Sequence, residues 1–168
     1  MAVPSYYYKS VTQVTPAWLE EHSITAVLVD LDNTVLPRFT EEVPAEIRSW
    51  AATLTDAHIP VALLSNNHKK RVGQYAAGLG FIPVANAAKP LPFGYLRALR
   101  ALGSKRHSAV MVGDQFFTDV CGAALLGITS VMVVALSQKD LAHTLILRKL
   151  EKIFIRDRQA LAQEDERE

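Results

Sequence analysis

The chain reads as an α/β protein built on a doubly wound parallel sheet, and three observations point there. Short apolar runs at Ala26–Val29, Val61–Leu64, Ile82–Val84, Ala109–Val112 and Thr129–Val134 alternate with helical patterns at Pro44–His58, Lys69–Leu79, Pro92–Leu102 and Thr118–Leu126. Strands that alternate with helices form βαβ units and hence a parallel sheet. Three runs end in small polar or acidic residues, at Asp30, Ser65 and Gly113-Asp114, and ligands of such sheets bind beyond the carboxyl ends of the strands. Finally, 168 residues, 49% of them apolar, match one domain (1–168) with a proper core and exclude a disordered chain.

From the amino end, Met1–Ser10 holds three tyrosines and no apolar h-region, so no secretory signal is expected. The Tyr6-Tyr7-Tyr8 run suits either a lipid interface or packing under the sheet. Thr15-Pro16 predicts the start of a short helix, with Thr as cap and Pro in its first turn. After Ala26–Val29 comes Asp30-Leu31-Asp32-Asn33-Thr34. Residues two apart on extended chain point to one side, and two close carboxylates repel unless a proton or metal intervenes. The pair therefore suggests a nucleophile and a general acid/base beside a hard cation, with a plain Asx-rich turn as the alternative.

Each later motif also has an ordinary reading. Ser65, in Leu63-Leu64-Ser65-Asn66, suits a helix cap. Lys89, in Ala88-Lys89-Pro90, is a lone cation among apolar residues. Gly113-Asp114 suits a turn, and Asp119 an acid at a helix N-terminus. Their order along one chain, Asp-x-Asp, Ser, Lys, then Gly-Asp-x-x-x-x-Asp, favours a shared site. The uncharged stretch Val120–Gln138 is broken by Gly122, Gly127, Thr129 and Ser130. It reads as a helix ending at Gly127 and a buried strand Ile128–Val134 rather than a membrane span.

The net charge of +1 predicts no nucleic-acid partner. A single cysteine, Cys121, excludes an internal disulfide and suits a reducing, cytoplasmic compartment, with helix packing as its expected role. The five histidines form no ligand-spaced cluster; His68 suits a helix start, with substrate contact as the alternative.

In this ordered set the chain resembles the haloacid dehalogenase (HAD) superfamily of phosphatases. Val29-Asp30-Leu31-Asp32-Asn33-Thr34-Val35 matches its first motif, Ser65 the second, Lys89 the third and Gly113-Asp114 through Asp119 the fourth. Together with Ser65-Asn66-Asn67, Lys89-Pro90 and Gln115-Phe116-Phe117-Thr118-Asp119-Val120, they resemble the YqeG-like group of HAD subclass IIIA, from about Tyr7 to the C-terminal helix. Val35 replaces the usual Leu, and Cys121-Gly122-Ala123-Ala124 replaces a Gly-Gly-Asn-type stretch.

The resemblance implies a HAD-like Rossmannoid fold and a Mg²⁺-dependent phosphomonoester hydrolase acting through an aspartyl-phosphate. It implies Asp30 as nucleophile and Asp32 as general acid/base. Mg²⁺ would be held by Asp30, Asp114 and the main-chain carbonyl of Asp32. Ser65 and the amide of Asn66 would bind phosphate, Lys89 would neutralise charge on nucleophile and phosphate, and Asp119 would position Lys89 or a metal-bound water. The YqeG-like group is similar to the phosphatase acting on phosphatidylglycerophosphate, which implies an anionic phospholipid substrate. A phosphatase of a soluble phosphometabolite stays open as an alternative, as does a phosphoryl-accepting or regulatory interaction domain. A signalling receiver would need an aspartate after its third strand, and neither Ser65 nor Ile82–Val84 provides one.

The gaps Asp32–Ser65 and Ser65–Lys89 are filled by one helix and one strand each, so no cap domain is expected and the site should be open. In a C-terminal helix at about 138–158, Leu147, Leu150 and Phe154 form an apolar stripe flanked by Arg148, Lys149, Lys152, Arg156 and Arg158. It reads either as a cover for one face of the core or as a basic amphipathic helix on an anionic membrane surface. The latter would make the protein peripheral to the inner face of the membrane. The acidic end, Gln163–Glu168, is expected to fray.

Overall fold

The computed structural model describes residues 3–137. Their elements run β1 (Tyr6–Tyr8), α1 (Pro16–Glu21), β2 (Ala26–Val29), α2 (Ala45–Asp56), β3 (Val61–Leu64), α3 (Lys69–Leu79), β4 (Ile82–Val84), α4 (Pro92–Leu102), β5 (Ala109–Gly113), α5 (Cys121–Leu125) and β6 (Thr129–Val133). Six parallel strands lie in the order β1-β6-β5-β2-β3-β4. Chain contacts divide the protein into Met1–Leu136 and Ser137–Glu168. The first unit carries every element named above; the helix expected at 138–158 lies outside the described residues.

Strand residues alternate between two apolar layers, as the pleat requires. Val27, Val29, Leu63, Val110, Val112, Val131 and Val133 pack with Ile47, Trp50 and Leu54 of α2 and with Val72, Tyr75 and Leu79 of α3. Leu28, Leu64 and Met111 pack on the other face with Tyr95, Ala98 and Leu99 of α4 and Ala123 of α5. The apolar runs are continuous because both faces are covered. From β2 the chain winds outward through β3 to β4, whereas from β5 it winds the opposite way to β6. The direction thus reverses between β2 and β5, whose carboxyl ends carry Asp30 and Asp114. A crevice at that switch point is where such folds hold ligands.

Local signals act largely as expected. Thr15 Oγ1 accepts from the Trp18 amide at 3.2 Å, with Pro16 opening α1. The α3 cap, however, is His68, whose Nδ1 accepts from the Arg71 amide at 3.4 Å, not Ser65. His68 is exposed, and this cap accounts for it. The tyrosine run forms β1, which pairs with β6 in the register Tyr6↔Val131 to Tyr8↔Val133. Tyr6 and Tyr8 pack on Trp18, whose indole N–H donates to Tyr8 Oη at 2.6 Å, so the run belongs to the sheet edge. Helix α2 ends before the turn at Ala57 and His58, where φ of His58 is 56°. Strand β6 stops at Val133. The helix expected over Thr118–Leu126 divides into a π turn at Phe116–Val120 and α5.

Between Asp32 and Ser65 the chain builds a loop, α2 and β3; between Ser65 and Lys89 it builds α3 and β4. Neither gap holds a cap domain. Among the described residues, no helix is long and apolar enough to cross a membrane.

Candidate active site

Four charged side chains meet at the switch point, all buried: Asp30, Lys89, Asp114 and Asp119. Asp30 follows β2, Asp114 follows β5, and Asp119 lies in the π turn beyond it. Lys89 Nζ donates to Asp30 Oδ1 at 2.6 Å and to Asp119 Oδ1 at 2.7 Å. Asp119 Oδ2 accepts the Gln115 amide at 3.1 Å, which closes the π turn on itself. Thr34 Oγ1 donates to Asp114 Oδ1 at 3.3 Å.

Backbone features set these positions. A Cβ at Gly113 would overlap the Asp119 carboxylate, so only glycine lets Asp119 fold back over β5 toward Lys89. The Tyr95 hydroxyl donates to the Thr118 carbonyl and anchors the π turn to α4. A Cβ at Gly122 would strike that ring. The Lys89 main chain is clamped by Asn66, which receives the Lys89 amide at 2.7 Å and donates to its carbonyl at 3.1 Å. The Ala87 amide donates to the Ser65 carbonyl at 3.0 Å, tying the same loop to the end of β3.

Three carboxylates confront one ammonium here. Burial pushes the Asp30 carboxyl up to about 8 against the pull of Lys89, with Asp119 and Asp114 adding repulsion. Burial and then Asp119 push Asp114 up to about 7, the Thr34 hydrogen bond pulling back. For Lys89, burial works against the ammonium, yet Asp119 and Asp30 outweigh it and hold its pKa above the usual lysine range. Unit charges ~4 Å apart interact by about 4 kcal/mol at an effective dielectric of ~20, so with all three acids ionised two negative charges go unbalanced. A divalent cation fits the shortfall. One carboxylate oxygen from each of Asp30, Asp114 and Asp119 lies within 4.8 Å of the others. Asp30 Oδ2 is buried without a hydrogen-bond partner. An all-oxygen donor set with an unsatisfied buried carboxylate oxygen suits a hard cation.

Asp32 stands apart from that acidic group. It is half-buried and turned toward the start of α3, where Asn67 Nδ2, in the preceding loop, donates to Oδ2 and Arg71 Nη2, in the first turn, lies 3.5 Å from Oδ1. The acidic group thus includes Asp119, expected to position Lys89 or a metal-bound water, and not the Asp32 carboxylate; the expected Asp32 ligand is its main-chain carbonyl. The cause is local: β2 ends at Val29 and Asn33 takes φ 61°, so the alternation of extended chain does not carry to residue 32. Ser65 is buried at the end of β3, with Oγ accepting the Asn67 amide at 3.1 Å. Asn66, Asn67, Thr34 and Arg71 contact site residues in ways that motif spacing does not reveal. Asn67 and Arg71 follow Ser65 closely enough to have been suspected. Cys121 is free and half-buried, beyond the π turn.

The fold recurs among known proteins. The chain is 29% identical over 150 residues to "Probable phosphatase YqeG" of Bacillus subtilis (strain 168), covering 89% of this chain and 87% of that protein. In fold it is similar to 3-deoxy-D-manno-octulosonate 8-phosphate phosphatase from Yersinia pestis, with a TM-score of 0.54, 18% identity and coverage of 78% and 72% of the two chains. It is also similar to a mutant of CbbY from Rhodobacter sphaeroides in complex with xylulose-(1,5)bisphosphate, with a TM-score of 0.51, 15% identity and coverage of 70% and 89%. The family model for haloacid dehalogenase-like hydrolases matches residues 40–127, a span that includes Ser65, Lys89, Asp114 and Asp119. With a match over more than half of its length, the chain belongs to the haloacid dehalogenase-like hydrolase family.

Proposed function

We propose that this hydrolase is a Mg²⁺-dependent phosphomonoesterase in which Asp30 is the nucleophile. The observation that carries the proposal is the buried Asp30 oxygen without a protein partner, beside Lys89 and Asp114. Asp30, Asp114 and the main-chain carbonyl of Asp32 would hold Mg²⁺, which when bound offsets the negative charge of acids and phosphate. Asp30 attacks phosphorus and forms an acyl-phosphate bond as the ester oxygen leaves. Asp32 gives its proton to that oxygen, then takes a proton from the water that attacks the same phosphorus. Inorganic phosphate departs and Asp30 is restored. Lys89, held by Asp119 and Asp30, offsets charge on nucleophile and phosphate, while Ser65 and the Asn66 amide bind phosphate oxygens. Such catalysis is mostly positioning and electrostatics. Mg²⁺-dependent turnover of an aryl phosphate, absent in Asp30→Asn, tests the assignment; persistent turnover in that variant refutes it.

For the substrate we propose an anionic lipid phosphate, with phosphatidylglycerophosphate as the specific candidate. Support comes from the likeness to the YqeG protein, the lack of a cap domain between Asp32 and Lys89, and four exposed apolar residues. Phe39, Leu91, Phe93 and Phe117 are exposed, and each lies in a segment leaving the carboxyl edge of the sheet. Apolar side chains on the same edge as a phosphate pocket suit a phosphate presented at a lipid surface. The chain would act as one phosphatase domain, with the basic segment at about 138–158 as a second membrane contact. Phosphate release from phosphatidylglycerophosphate in mixed micelles should far exceed that from sugar phosphates or nucleotides. Equal or inverse preference would overturn the substrate assignment.

A further inference from the structure

We infer that Arg71 binds a second anionic group on the leaving alcohol, so that the enzyme selects phosphomonoesters whose alcohol carries a further phosphate or phosphodiester. The inference deepens the proposed function and rests on Asp32 being the group that protonates the leaving oxygen. A cation that touches Asp32 then stands beside the alcohol, not beside the transferred phosphoryl group. Among the described residues, the cation touching Asp32 is Arg71.

Several observations separate Arg71 from a residue that merely holds Asp32. Asn67 already grips Asp32 Oδ2. The Arg71 contact is a single approach of 3.5 Å, long beside the ~2.7–2.9 Å of a strong charge-assisted bond. The two side chains are 29% and 33% exposed, and such half-open pairs contribute little to stability. Arg71 is nevertheless held in place. Its guanidinium lies 5.5 Å from the centroid of the Tyr75 ring, and buried Tyr75 is itself fixed by donating to the Glu41 carbonyl at 3.1 Å. A cation oriented by an aromatic face and open to solvent on one side is arranged for a ligand.

Two other cations, Lys89 and Lys69, serve elsewhere. Lys89 is committed to Asp30 and Asp119. Lys69 lines a separate cleft with Pro83, Val84, Ala85 and Arg97. A planar guanidinium also matches two oxygens of a phosphate or phosphodiester at once.

The test compares glycerol 1-phosphate with glycerol 1,3-bisphosphate, a soluble pair differing only in the second anion, with an aryl phosphate as reference, in the full-length protein with Mg²⁺. The parent should favour the bisphosphate in kcat/KM by about tenfold or more, the size of one charge-assisted hydrogen bond. Arg71→Gln should erase that ratio chiefly through KM, and Arg71→Lys should retain part of it. Absence of preference in the parent, alongside normal aryl phosphate turnover, overturns the inference while leaving the phosphatase assignment standing. An equal fall of kcat on both glycerol phosphates in Arg71→Gln also overturns it, because that pattern means Arg71 acts only by positioning Asp32. Failure of the parent on all three substrates refutes the phosphatase assignment, and the inference falls with it.

Discussion

Lys89 is the residue on which the buried charges balance, since two of the three carboxylates lie within hydrogen-bond reach of its ammonium. Removing one partner of a buried ion pair leaves the other uncompensated, which costs about 3–5 kcal/mol. Lys89→Ala should therefore lower stability by about that amount in urea unfolding and abolish turnover. The raised carboxyls make a second prediction. Asp30 and Asp114 keep protons in the folded metal-free protein up to about 8 and about 7, whereas the unperturbed value is 3.8. Across that window the folded state binds more protons than the unfolded state, so stability falls as pH rises. Their contribution is complete below 3.8 and lost as pH climbs through about 7 to 8. Metal-free protein should thus melt lower at alkaline than at mildly acidic pH, beyond the trend of an Asp30→Asn/Asp114→Asn variant. Mg²⁺ competes with those protons, so the rise in Tm on adding it should grow with pH. A Mg²⁺ effect that shrinks with pH would contradict the charge assignment.

At the scale of elements, the site depends on a π turn packed against a glycine. Gly113→Ala would force the Asp119 carboxylate aside, and overpacking of this kind costs about 1–3 kcal/mol. Because Asp119 holds Lys89, kcat should fall by about 10²-fold or more, within the range that a small misplacement produces. Unchanged kcat would show that Asp119 is not needed where it lies. These elements differed in how plainly the sequence revealed them. The runs Val61–Leu64 and Ala109–Val112 are strands because both faces are buried, and a continuous apolar run records that directly. Lys89 and Asp119 were legible through motif order, though their pairing is tertiary. β1 was not legible, since three tyrosines show no alternation and the partner strand β6 is remote in sequence. The π turn was hidden because Phe116–Val120 continues the apolar pattern of the following helix. Asn67 and Arg71 were missed as contacts of Asp32 because their side-chain directions follow from how the β3–α3 loop and α3 sit on the sheet, not from local spacing.

At the scale of the molecule, the reversal of winding between β2 and β5 brings acids from separate segments into one crevice, and the exposed Phe39, Phe93 and Phe117 lie in segments that leave the same edge of the sheet. Phe39→Ser, Phe93→Ser and Phe117→Ser combined should lower turnover of micelle-bound lipid phosphate by about tenfold or more, since each buried aromatic contributes about 1.5–3 kcal/mol. The same triple variant should keep parental turnover of an aryl phosphate. Equal loss on both substrates would assign these residues to stability rather than to substrate access. The most direct test of the central claim, that Asp30 receives the phosphoryl group in this pocket, is the mass of the protein quenched in acid during turnover with Mg²⁺. We expect one added phosphoryl group, mapped to the peptide containing Asp30 and absent from Asp30→Asn. A phosphoryl group found on another residue, or turnover by the Asp30→Asn variant, would contradict it.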